Sequence, residues 1–249
     1  MAIGLKVALS GLGGDELLGG YPSFQHIPKI MRIARPFHAI GQAFRIIGEP
    51  VLRRFTSPKY AGVFEYGNTL GGAYLLRQGL YLPWELPDLL DPDMVREGWS
   101  ELAPVARINQ TIPEAAPPFS AISALESTWY MRNMLLRDSD WAAMAHSLEI
   151  RVPLVDLKLT KALAPLMRQQ FRPDKRLMAQ CAWAGAPPET IINRPKTGFS
   201  IPVRQWLMGG RRAGERGNRS WAKVVYRELL KSSELGFTTS RIGNMIGIA

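Results

Sequence analysis

Apolar and polar positions follow two different periods along this chain. Ile3-Gly-Leu-Lys-Val-Ala-Leu9 is apolar at most positions. That pattern predicts a short strand buried on both faces of a parallel sheet. Behind it, Ser10-Gly-Leu-Gly-Gly-Asp-Glu-Leu-Leu-Gly-Gly-Tyr21 predicts a glycine-rich turn running into a helix. Residues 25–119 predict helices broken at Ala34-Arg35-Pro36, Gly48-Glu49-Pro50 and Leu86-Pro87-Asp88. The stretch from Pro104 to Pro118 carries four prolines and reads as a linker.

The apolar period becomes more strongly helical over residues 120–169. Ser123-x-x-Glu126 has the form of a capping box, with Ile122, Leu125 and Trp129 at helical spacing. A second helix is expected from about Ser139, capped by Asp138 or Ser139 and ending before Arg151-Val152-Pro153. Asp156 is placed to cap a third, from Leu157 to about Ala164, which Pro165 should end or kink. Residues 194–206 read as a loop entering another helix, and the tail from Gly209 as basic and weakly helical. No repeat of 20–50 residues occurs.

Composition narrows the class. The 249 residues are 46% hydrophobic and 21% charged, which excludes disordered and collagen-like chains. No run of 18 apolar residues is available to form a transmembrane helix. Met1–Lys6 lacks the order of a signal peptide, and the single Cys181 cannot form an internal disulfide or a multi-cysteine zinc site. A cytoplasmic location and no membrane partner are expected. The net charge of +10 permits anionic partners, and basic residues gather at Arg32, Arg35, Arg45, Arg53 and Arg54 and again from Arg204 to Lys231. Solvated helix faces account for both groups, and no motif points to nucleic acid.

Chemistry concentrates at residues 10–16. Glycines let a backbone approach a ligand closely, and a helix start offers N–H groups to a phosphate. Asp15 and Glu16 fall in the first helical turn, where a carboxylate can hold Mg²⁺ bridging to phosphate oxygens. Acidic residues that merely complement the helix dipole are the alternative. The segment is neither a Walker A loop nor Gly-x-Gly-x-x-Gly.

Three segments in order carry a resemblance. They are Ser10–Tyr21, Asp140-Trp-Ala-Ala-Met-Ala-His-Ser-Leu-Glu-Ile-Arg-Val-Pro-Leu-Val-Asp156 and Arg194-Pro-Lys-Thr-Gly-Phe-Ser-Ile-Pro202. Together they resemble the synthetase domain of the glutamine-hydrolysing asparagine synthetases over roughly residues 3–206, leaving 207–249 as a basic, partly helical tail. The resemblance implies an α/β fold of the ATP-pyrophosphatase (adenine nucleotide alpha hydrolase-like) type. This segment would be mostly helical, with one short N-terminal parallel strand, a strand-loop-helix ATP site at 3–24 and a helical region at 25–206. It also implies ATP and Mg²⁺ as cofactors. The reaction implied is amide synthesis: a carboxylate such as aspartate is adenylated with loss of pyrophosphate, and glutamine-derived ammonia then displaces AMP.

Carried onto this sequence, the resemblance assigns Ser10, Gly11, Gly13 and Gly14 to ATP, Asp15 to Mg²⁺ and pyrophosphate, and Lys196 to the phosphates. Leu12, Glu149 and Arg151 fall in the matched substrate region, Glu149 and Arg151 equally readable as a structural ion pair. His146 is read as a packed or hydrogen-bonded side chain, and Cys181 as a small core residue.

The sequence also departs from the family. Residue 2 is Ala2 instead of the glutaminase cysteine, and the family's first nucleotide loop, Ser-Gly-Gly-x-Asp-Ser, does not occur. Leu12 stands where well-studied members place a glutamate. The expectation is the C-terminal part of a longer ligase, partnered by a glutaminase and nucleotide-loop portion. A related amidotransferase acting on another carboxylate, or an inactive binding or scaffold fragment, are the alternatives. A strand lacking its neighbours should also favour self-association, as a homo-oligomer for example. The isolated chain is therefore expected to release no AMP from ATP, aspartate and ammonium; AMP and pyrophosphate above a Lys196→Ala background would overturn this.

Overall fold

The computed structural model describes residues 4–55, 58–169, 171–181, 185–194 and 218–234. Helices dominate. Strand β1 (Val7–Leu9) leads into the five-residue α1 (Gly14–Leu18), then α2 (Ser23–Ala34), α3 (Gly41–Phe55), α4 (Val63–Tyr66) and α5 (Leu70–Gln78). Single 3₁₀ segments at Arg35–Ile40, Pro58–Gly62 and Pro83–Asp88 make several of the corners. Then come α6 (Pro92–Leu102), α7 (Pro104–Gln110) and α8 (Pro118–Leu125). The π-helix Glu126–Leu136 carries α8 on into α9 (Arg137–Met144). Strand β2 (Glu149–Arg151), α10 (Leu157–Met167), α11 (Lys175–Gln180), α12 (Glu189–Ile192) and α13 (Arg219–Glu234) complete the described order.

The described residues form two compact units. The larger takes residues 4–79 and 98–194, and its core is made where α2, α5, α7 and α8 meet. Ile27, Tyr74, Ile108, Ile122 and Leu125 are its buried centre. Each of the four aliphatic side chains among them contributes about 1.5–3 kcal/mol on leaving water. In the smaller unit, residues 80–97 accompany α13. There the Arg219 guanidinium pairs with Glu85 and lies 4.2 Å from the Tyr81 ring centroid.

β1 and β2 pair in parallel, with Val7 opposite Glu149 and Leu9 opposite Arg151. The parallel strand expected at the N-terminus is present, but not as a strand buried on both faces: Leu9 is 76% exposed. β2 lay unrecognised because Glu-Ile-Arg carries no apolar run. Its pairing comes from backbone geometry, as when the Glu149 N–H donates to the Lys6 carbonyl at 2.9 Å.

Four other local readings give way to tertiary packing. The proline-rich stretch is no linker at its start, because Pro104 occupies the first turn of α7, where its missing N–H costs nothing. Pro50 sits inside α3, whose Phe44 packs edge-on to Phe64 at 4.7 Å. Ser123 is no cap. It lies within α8, and its hydroxyl donates to the Glu16 carbonyl at 2.8 Å. The helix expected from Ser139 begins instead at Pro118 and runs through without a cap, because its middle turns widen into the π form. The Asp156 cap is present, accepting from the Leu159 N–H at 2.7 Å, and α10 runs two residues past Pro165.

The core and the sheet should therefore respond differently to truncation. Leu125→Ala is expected to cost about 2–5 kcal/mol in denaturant unfolding, and Leu9→Ala within about 0.5 kcal/mol.

Candidate functional site

The end of β1 is tied to the end of β2 by the Ser10 N–H, which donates to the Arg151 carbonyl at 2.8 Å. The chain then turns tightly. The Leu12 N–H approaches the Ser10 hydroxyl oxygen at 3.4 Å, and the Gly14 N–H donates to the Gly11 carbonyl at 3.2 Å. Gly13 adopts φ 92°, a left-handed conformation that side chains rarely take. A Cβ there would also lie 2.8 Å from Val155 Cγ2 and 3.2 Å from the Leu154 carbonyl. The first and second motifs thus pack on each other through a glycine that no other residue can replace without strain. At Gly11, by contrast, a Cβ would meet nothing within 4 Å, so this side of the loop faces open space.

The turn delivers Asp15 to the first turn of α1. Its carboxylate oxygen Oδ1 lies 2.6 Å from Lys175 Nζ at the start of α11. The two side chains are 21% and 44% exposed. A pair this open to water contributes about 0–1 kcal/mol to stability, so folding alone gives little reason for it. Lys175 was not among the residues singled out from the sequence. The available signal was Asp174, a helix-capping type directly before it, whose side chain accepts from the Leu177 N–H at 2.8 Å. That cap fixes the start of α11 and hence where Lys175 projects. Beside it, a cleft of about 400 Å³ opens between Leu18, Phe119 and the segment Phe171–Asp174. Arg172 lies 4.2 Å over the Phe119 ring there.

Behind the loop stands a buried acidic layer that the sequence reading also missed. Glu16 is buried, and its Oε1 accepts from the Tyr21 hydroxyl at 2.8 Å. Glu126, at the start of the π-helix, is fully buried. It accepts from Gln78 Nε2 at 3.0 and 3.1 Å and from the Tyr74 hydroxyl at 3.5 Å. Burial and the adjacent Glu16 push the Tyr21 phenol far above its usual range, so it remains a donor. The Ser123 hydroxyl, which donates to the Glu16 carbonyl, ties α1 to α8 beside this layer.

Of the remaining expected residues, Leu12 is in the loop and Glu149 and Arg151 lie on β2 beside it. Glu149 and Arg151 are exposed and pair with each other at 2.8 Å, which raises the Arg151 pKa. Leu12 is half-buried in the loop. His146 is exposed instead of packed, and Cys181 is an exposed residue at the end of α11 instead of a core residue. Lys196 lies outside the described residues. Among the described residues, no group of three or more His, Cys, Asp or Glu is arranged to hold a metal. A lone carboxylate beside a polyphosphate is nonetheless a donor set that Mg²⁺ accepts, since it keeps most of its water. Asp15, in the first turn of the helix that follows the glycine turn, is a single carboxylate of that kind.

Residues 1–231 match the asparagine synthase family. The chain is 28% identical over 222 residues to a Mycobacterium tuberculosis H37Rv protein provisionally named a glutamine-hydrolyzing asparagine synthetase, covering 83% of this chain and 31% of that one. Bacillus subtilis (strain 168) asparagine synthetase (glutamine-hydrolyzing) 1 is 26% identical over 218 residues, covering 82% of this chain and 32% of that protein. The chain thus spans about a third of the length of these curated relatives. No solved structure matches it. No described helix is long and apolar enough to cross a membrane.

The buried Glu126 makes a pH prediction. Burial foremost, with the neighbouring Glu16 charge adding to it, raises its pKa above the usual 4.5, against the opposing hydrogen bond from Gln78. The folded state then binds this proton more tightly than the unfolded chain. Stability from this group is full below the unfolded pKa and falls as the pH rises through the folded one. Glu126→Gln removes the ionisation, so its Tm should gain on that of the parent protein as the pH rises above the usual 4.5. A Tm difference independent of pH would show that the carboxylate is not held against its charge.

Proposed function

The chain belongs to the asparagine synthase family, and from that premise we propose that it supplies the second nucleotide loop of an ATP-dependent amide ligase. In the reaction assigned, a carboxylate such as aspartate is joined to ammonia. The fold proposed for the complete domain is that of the ATP pyrophosphatases. The observation that carries the reading is the Asp15–Lys175 pair at 2.6 Å beside a glycine turn whose outer side is open.

ATP, held with Mg²⁺, supplies a leaving group that turns a carboxylate oxygen into a displaceable one. The part of this chain is to bind and neutralise. Gly11 leaves room for a phosphate to approach the backbone, and Ser10 offers a hydroxyl at the strand end. Asp15 would hold Mg²⁺, and Lys175 presents a positive charge where negative charge builds on departing pyrophosphate. Lys196 is assigned the same duty by its place in the third motif. A flexible ammonium suits this task, because it can follow oxygens that move as the bond breaks. Leu12 can neither take a proton nor bind metal, so the acceptor carboxylate must be activated by other groups. Ammonia from glutamine would come from a separate glutaminase portion, as the names of the longer relatives suggest. An amidotransferase for another carboxylate is the second reading, favoured by Leu12 in place of a glutamate.

Charge removal at these positions should lower turnover more than ATP binding, because the contacts tighten in the transition state. With the glutaminase and first-loop portion supplied, Asp15→Asn, Lys175→Met and Lys196→Met should each reduce AMP release by roughly 10²–10³. Leu12→Ala should cost far less. Unchanged adenylation in Asp15→Asn would remove the metal assignment. A rise in aspartate-dependent turnover on Leu12→Glu would mark a diverged aspartate site.

A further inference from the structure

We propose that the outward side of α3 is an interfacial surface that lays the larger unit against an anionic lipid bilayer. The inward side of this helix is spent on α4. A Cβ on Gly41 would lie 2.5 Å from the Glu65 backbone, Phe44 packs on the Phe64 ring, and Arg45 pairs with Glu65. Away from α4 the helix is apolar again. Ile46, Ile47 and Val51 are 61%, 77% and 60% exposed, and Ile40, directly before the helix, is 55% exposed. A helix that is apolar on both sides belongs in a setting that covers both. Among the described residues nothing covers this one.

Charge selects what covers it. Between Leu17 and Phe64 the sequence holds one acidic residue, Glu49, against seven basic ones. Lys29, Arg32 and Arg35, on α2 and the 3₁₀ turn that leads into α3, are exposed and pair with no carboxylate among the described residues. That turn lies beside α3, since its Phe37 packs on the same Phe64 at 5.3 Å. By helical spacing Arg54 continues the row of Ile47 and Val51, and Arg53 the row of Ile46 and Pro50. An anionic bilayer answers both parts of this pattern. Its acyl boundary covers the aliphatic branches, and its headgroups attract the cations. A second copy of the chain would set like charges face to face, and nucleic acid would leave the branches wet. Pro50 has no N–H to give the Ile46 carbonyl. That acceptor stays wet at headgroup depth, whereas a dry protein interface would strand it. The lack of a described helix able to cross a membrane does not bear on this, because an interfacial helix lies in the plane of the surface.

The test floats the full chain on a density gradient with phosphatidylcholine vesicles, with and without phosphatidylglycerol; aggregated protein sinks. Flotation is expected only with phosphatidylglycerol, and it should fall as salt is raised. Ile47→Gln combined with Val51→Gln should abolish it. Both side chains are exposed, so the Tm of that variant should hold. Arg54→Gln should weaken binding about fivefold. Lys158→Gln, an exposed charge on α10 of the same unit, should leave it unchanged. No flotation with phosphatidylglycerol, equal flotation with phosphatidylcholine alone, or flotation that the Ile47 and Val51 variant retains would overturn the proposal. An equal loss through Lys158→Gln would also overturn it, by marking attraction through net charge alone. A lipid-free dimer that the same double variant returns to monomer in sedimentation velocity would assign the face to a second copy instead. Protection of α3 from hydrogen exchange by an added glutaminase portion, without lipid, would assign it to that partner, and either result overturns the bilayer.

Discussion

Gly13 turns in the left-handed region with Leu154 and Val155 packed against it. From that contact the rest of the candidate site takes its positions. It closes the chain across some 140 residues, a loop whose entropic cost is met mainly by the helical core beneath. It sets β1 beside β2, lets Ser10 bond to the Arg151 carbonyl, and starts α1 so that Asp15 reaches Lys175. A side chain at residue 13 would push the two motifs apart.

The site is held from below by a different kind of interaction. Glu16, one residue beyond Asp15, is buried and bonded to Tyr21, and Glu126 lies close enough for their charges to interact. Buried acids are expensive unless hydrogen-bonded. Here Tyr21, Tyr74 and Gln78 supply donors, and the π-helix begins at Glu126 itself. The neighbouring carboxylates thus have opposite tasks: Glu16 faces inward and fixes α1, while Asp15 remains half-exposed beside a lysine. Alternate sides of one helical turn make that division.

Burial in the larger unit separates stability from chemistry. Its aliphatic centre belongs to α2, α5, α7 and α8, whereas β1 and β2 contribute little to it and expose Leu9 and the Glu149–Arg151 pair. Substitutions in the strands can therefore alter the loop with little effect on folding.

Much of this was written in local sequence. The strand, the glycine turn with Asp15 in its first helical turn and the Asp156 cap could be read from a few neighbouring residues, because each depends on backbone preference or one short-range hydrogen bond. The family was legible too, from three motifs in order. Other features needed the folded chain. Ser123 looked like a cap but spends its hydroxyl on Glu16, Pro50 looked like a break but lies within a helix packed on Phe64, and Glu-Ile-Arg became a strand only by pairing. Lys175 is the plainest case: nothing near it in sequence is a partner, and Asp15 stands 160 positions away. Local propensity amounts to a few tenths of a kcal/mol per residue, and packing that joins distant segments outweighs it. Periodicity could therefore name the pieces, whereas the charges that meet at the loop were decided by which pieces the core brought together.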